Sequence, residues 1–112
     1  MPRPDLHLLA EERSLAYHRA VADRLRRDPT SVARALARAE AWCTEGGHAS
    51  HYAAEWRDKL RGPLNELLAL LVDPSEHARA LRQATPFAGF LDPRERWRIW
   101  REVRERFESA QT

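Results

Sequence analysis

One cysteine, one lysine and four glycines are a short supply of three residue types, and each shortage narrows what this chain can be. The lone Cys43 rules out an internal disulfide framework and leaves nothing from which to build a thiolate metal site. The glycines Gly46, Gly47, Gly62 and Gly89 form neither G-x-x-x-x-G-K nor G-x-G-x-x-G, so phosphate-cradling loops of those types are absent. The longest apolar run, Leu67 to Val72, is far too short to span a bilayer. Met1 to Asp5 has no charged stretch leading into an apolar core and a cleavage site, so no secretory signal is expected, and a soluble chain in the cytoplasm is. No segment alternates with period two, which leaves no amphipathic strand from which to build a sheet.

Charge of one sign is also scarce. The 19 Lys+Arg residues face 17 Asp+Glu, for a net charge of +2 over 112 residues. The pI of about 9.2 overstates any case for nucleic acid, because phosphate binding needs clustered positive charge and acidic residues interleave here. Even the tightest basic group, Arg24, Arg26 and Arg27, is flanked by Asp23 and Asp28. Weak or no nucleic-acid binding is the expectation.

What the sequence does have is helix punctuation every 10 to 25 residues or so, a normal helix length. A first helix is predicted from Asp5 to Arg27, with Leu8, Leu15, Val21, Ala22 and Leu25 on one side. Asp28-Pro29 ends it and opens a second to Thr44, carrying Val32, Leu36, Ala39 and Cys43, which Gly46-Gly47 stops. A third runs from Ser50 to Arg61 with Tyr52, Trp56 and Leu60 spaced by four, broken by Gly62-Pro63. The fourth is apolar nearly all round, the pattern of a helix at the centre of a bundle. Asp73-Pro74-Ser75-Glu76 reads as a capping box opening a fifth helix to Gln83, and Asp92-Pro93-Arg94-Glu95 opens a long sixth to Glu108. The expected fold is therefore all-α, a compact single-domain bundle of about six helices over residues 1–112.

Two groups resemble reactive constellations. Glu11, Ser14 and His18 lie on consecutive turns of the first helix. The order is wrong for a triad, since Ser14 sits between the carboxylate and the histidine that it should orient. Cys43, His48, His51 and Glu55 surround the Gly46-Gly47 break, yet C-x4-H-x2-H is no common zinc spacing and Cys43 lies in an apolar row. Both are better read as structural, so no catalysis, metal or cofactor is expected.

The last helix is the most informative element. Going round it from Trp97 through Trp100, Phe107 and Val103 to Ile99, apolar side chains cover about 160° of arc, wider than the roughly 100° stripe that a surface helix needs. One edge, with Trp97 and Trp100 beside Arg96, Arg101 and Arg104, is a candidate partner face, since Trp and Arg are enriched in interface hot spots. The connector before it, Thr85 to Leu91, carries Phe87 and Phe90 with little charge; such a loop must be buried or bound, and both phenylalanines join the candidate set.

From Ala80 to Glu102 the sequence reads A-L-R-Q-A-T-P-F-A-G-F-L-D-P-R-E-R-W-R-I-W-R-E. This stretch resembles a signature of small bacterial proteins that accompany nucleotidyltransferase-type toxins, with a looser likeness around Glu12 to Arg19. The resemblance implies an antitoxin that binds a toxin encoded by an adjacent gene, and it transfers no catalytic residue. The competing reading is a DNA-binding helical regulator with Thr44 to Ser50 as its turn and Arg57, Lys59 and Arg61 on the following helix. Homo-oligomer formation stays open.

Overall fold

The computed structural model describes residues 6–46 and 50–110, and among them no strand occurs. Six α-helices follow in order: α1 Leu6–Arg27, α2 Val32–Glu45, α3 Ser50–Arg61, α4 Leu64–Val72, α5 Glu76–Gln83 and α6 Pro93–Ala110. The all-α expectation holds, and the helix breaks fall at the expected punctuation. The predicted start at Asp5, and Gly47 and His48 of the second break, lie outside the described residues. None of the six helices is long and apolar enough to cross a membrane.

The three Asp-Pro steps use three different local chemistries. Asp92 is a true cap: its Oδ1 accepts from the backbone N–H of Glu95 at 2.9 Å, satisfying an orphan donor in the first turn of α6. At the second step the cap shifts by two residues. Ser75 Oγ accepts from Ala78 N at 3.2 Å, while Asp73 Oδ1 accepts from Ser75 N at 2.9 Å in a turn of its own. The capping box assigned to Asp73 and Glu76 is therefore corrected, because the Asp73 carboxylate is spent before the helix begins. Asp28 bonds the hydroxyls of Thr30 and Ser31 and caps no backbone donor; a 3-10 turn, Pro29–Ser31, precedes α2.

The centre of the bundle is α1. It packs against α4, α5 and α6, and both Val21 and Ala22, which point about 100° apart, are fully buried. The expectation that α4 occupies the centre is corrected: only its Leu67 and Leu71 are buried, and Leu64, Leu68, Leu70 and Val72 are half-buried. Similarly Leu9 is buried, while Leu8, on the expected stripe, stays 44% exposed. A single stripe cannot describe a helix with neighbours on several sides. In α2 the buried residues are Ala35 and Ala39, small enough to bring α3 close, with Leu36 and Cys43 half-buried.

The connector 84–92 is part of the core. Phe87 and Phe90 are buried and meet edge to face with ring centroids 5.0 Å apart, and Phe87 meets Trp56 likewise at 6.0 Å. Its backbone carbonyls are claimed by side chains from the first two helices. Arg38 Nη1 donates to Pro86 O at 3.0 Å and to Ala88 O at 2.7 Å, and Arg24 Nη1 donates to Phe90 O at 2.7 Å. Tyr17 donates its hydroxyl to Phe87 O at 2.6 Å and accepts from Phe90 N at 3.3 Å. A loop with buried aromatics needs such partners, since an unpaired buried carbonyl costs about as much as a lost hydrogen bond. Gly89 supplies the bend with φ of +81°, a conformation that other L-residues resist.

Candidate functional site

The structure divides the expected partner-binding residues into two groups. Phe87 and Phe90 belong to the domain's own core, and their assignment to a partner face is corrected: Trp56 packs on Phe87, and Arg34 lies over the Phe90 ring at 4.6 Å. The tryptophans behave otherwise. Around α6, Ile99 and Val103 are buried and Phe107 is half-buried, whereas Trp100 is 37% and Trp97 64% exposed. The excess of apolar arc falls on the Trp97 edge and is left uncovered by the described residues. Arg101 and Arg104 are exposed beside it, and Arg104 holds Glu108 at 3.1 Å one turn on.

Arg96 sits on the other flank of Trp100. Its guanidinium carbon lies 5.4 Å from the centroid of the indole, and that of Arg13, from α1, lies 5.8 Å from the same centroid. Cation–π attraction thus gathers two guanidiniums around one ring. Between α1, the connector and α6 they border an open groove of about 370 Å³, which Ser14, Tyr17, Thr85 and Arg82 also line. No Asp or Glu is among its lining residues. The nearby Glu11 lines an adjoining cavity, where it pairs with His7 at 3.1 Å and Arg79 at 3.8 Å.

Arg82 is only 5% exposed and caps the end of α4, donating from Nη1 to Leu70 O at 3.3 Å and Asp73 O at 2.7 Å. Desolvation lowers its pKa from the ordinary arginine value, with Asp73 opposing. The sequence reading missed it. The available signal was a charged residue four positions after Ala78 in the apolar row of α5.

His18, the histidine of the apparent triad, is buried and committed on both ring nitrogens. Nδ1 donates to Ser14 O at 2.7 Å, and Nε2 lies 2.8 Å from Thr85 Oγ1. Burial lowers its pKa to about 4, with Arg82 adding to the effect and the Ser14 carbonyl opposing it. The Ser14 contact is made through the backbone carbonyl, and Glu11 engages His7 and Arg79, so the three residues assemble no relay.

In the second constellation the described members, Cys43, His51 and Glu55, have separate partners, and His48 lies outside the described residues. Cys43 is half-buried and receives a long contact of 3.7 Å from Arg57 Nη1, while Glu55 pairs with His77 on α5 at 2.5 Å. His51 stacks edge to face on Tyr52. Among the described residues no group of three or more His, Cys, Asp or Glu could hold a metal ion. Of the three basic residues named on α3 for a DNA face, two have acidic partners: Arg57 lies 3.5 Å from Asp58, and Arg61 lies 3.5 Å from Glu40.

Comparison with known protein families, with characterised proteins and with solved structures gives no match.

Proposed function

We propose that this chain is a non-catalytic binding module that docks a protein partner through the Trp97 edge of α6, and that it serves as the antitoxin to a nucleotidyltransferase-type toxin. The observation that carries the docking surface is the 64% exposure of Trp97 on a helix whose Ile99 and Val103 are buried. A large aromatic held on a rigid helix loses little conformational freedom on binding, which is why such residues dominate interface energetics. At helical spacing from Trp97 lie Arg94, Arg101 and Arg104, so the surface suits a partner with acidic residues around an apolar pocket. The non-catalytic reading draws support from His18, whose two ring nitrogens are both occupied inside the core, which leaves that residue no free base for the Ser14 and Glu11 set. The antitoxin role rests on the resemblance over Ala80 to Glu102, which includes both exposed tryptophans.

Co-expression with the product of the adjacent gene, followed by pull-down, tests this. Wild-type chain should retain that protein, and Trp97→Ala should lose it while keeping its melting temperature. If the neighbour is not captured, and sedimentation shows that the Trp97 edge joins two copies of this chain, the antitoxin reading fails and a homo-oligomeric scaffold replaces it.

A further inference from the structure

We infer that the groove between α1, the connector and α6 is a binding site for a doubly charged oxyanion of the phosphate-monoester class, held by Arg13 and Arg96 over the fixed charge of Arg82.

Charge is the first argument. Arg13, Arg82 and Arg96 line a groove whose lining includes no carboxylate, with Asp73 and Glu11 acting on the Arg82 charge from outside that lining. Arg82 is held by the carbonyls of Leu70 and Asp73, as Arg24 and Arg38 are by connector carbonyls, whereas Arg26 holds Asp23 at 2.6 Å and Arg61 faces Glu40. A single carboxylate would offset one of the three charges. A phosphate monoester carries about −1.5 to −2 at neutral pH and offers three acceptor oxygens, which fits the site more closely. A phosphodiester, with a single charge, fits less well.

Donor geometry is the second. Arg13 Nε is buried and has no hydrogen-bond partner, and Arg13 lines the groove. That nitrogen is closed to solvent, and Arg57 Nε, away from the groove, likewise lacks a hydrogen-bond partner, so Arg13 serves the groove as a placed charge. The two guanidiniums are not free to wander. Trp100 gathers both, at 5.8 and 5.4 Å from its centroid, and a guanidinium whose position is already fixed makes forked contacts to an oxyanion at lower entropic cost. Thr85 and Ser14 add hydroxyls to the same lining. Trp100 is thus a positioning residue in this site, whereas Trp97 does not line it, so the inference stands independently of the docking surface on the Trp97 edge.

The experiment is a titration of the full chain with inorganic phosphate and with adenosine 5′-monophosphate, followed by the Trp100 indole N–H and the arginine Nε–H resonances at constant ionic strength. Saturable shifts at Arg13, Arg96 and Trp100 are expected, with Kd of about 1 mM or tighter, and chloride should produce none. Arg13→Gln and Arg96→Gln should each weaken binding about tenfold, and Arg13→Lys, which keeps the charge but loses the fork, should weaken it as well. Trp97→Ala should leave it unchanged. Non-saturating shifts, or equal affinity in variants with unaltered melting temperature, would overturn the site. Tighter binding of an aspartate hexapeptide or of duplex DNA than of inorganic phosphate or adenosine 5′-monophosphate would overturn the ligand class.

Discussion

His18 Nε2 lies 2.8 Å from Thr85 Oγ1, joining α1 to the connector across 67 residues of chain. The partner of the other ring nitrogen decides the direction of this bond. The Ser14 carbonyl can only accept, so the ring proton sits on Nδ1, and Nε2 accepts from the Thr85 hydroxyl. Thr85 Oγ1 in turn accepts from Phe87 N at 3.1 Å, which completes a relay of bonds from α1 into the aromatic core.

Stability should therefore fall in mild acid. The folded-state pKa of His18, about 4, lies below its ordinary 6.5, so between these values the unfolded chain binds a proton that the native state refuses. The contribution is complete above pH 6.5, is lost as pH falls towards 4, and levels off below that. The full loss is about 3 kcal/mol. Urea denaturation of wild type and His18→Gln at several pH values should show this slope in the wild type alone.

The two kinds of tryptophan should separate under alanine substitution. Trp56 is fully buried and donates Nε1–H to Leu81 O at 3.0 Å, so Trp56→Ala should cost about 3 to 5 kcal/mol. Trp97→Ala should stay within about 0.5 kcal/mol of wild type in stability. Its effect should appear in partner affinity, as a loss of about 2 kcal/mol or more. Thermal melts beside a binding isotherm make the comparison.

Arg38→Ala strips two connector carbonyls of one shared donor and should destabilise the fold by about 1 to 3 kcal/mol. Arg26→Ala, at an exposed pair with Asp23, should change stability by less than about 1 kcal/mol. Equal effects in chemical denaturation would mean that the connector does not depend on the Arg38 side chain.

The two working caps should each cost about 1 kcal/mol when removed as Ser75→Ala or Asp92→Ala. Glu76→Ala, by contrast, should show no loss of a reciprocal cap. Melting temperatures of the three variants test the assignment.

Much of the fold was legible because proline, glycine and capping residues act locally. Gly62-Pro63 and Asp92-Pro93 end and open helices whatever surrounds them, and the bounds of α3 follow from that punctuation. What stayed hidden depends on neighbours. Nothing in the spacing of Leu8 and Leu9 tells which of them α4, α5 or α6 will cover, and α1 rather than the more apolar α4 became the centre. The width of the apolar arc on α6 left open whether the fold or a partner covers it, and Trp97 is the part that the described residues leave 64% exposed. The same reasoning failed for Phe87 and Phe90, because an apolar loop looks alike whether its own domain or a partner encloses it. The groove was beyond reach: Arg13, Arg82 and Arg96 come from three helices, and only the packing brings them to one lining.

The seam between α6 and α1 has a consequence for motion. The described packing of α6 is chiefly against α1, while α2, α3, α4 and α5 contact one another in sequence. An element attached along one seam can open without dismantling the rest, so amide protons of α6 should exchange with solvent sooner than those of α1 or α3. A ligand in the groove that bridges Arg13 and Arg96 would fasten that seam from outside. Anion occupancy would then set how firmly the Trp97 edge is presented to its partner, coupling the two surfaces through the stiffness of one helix.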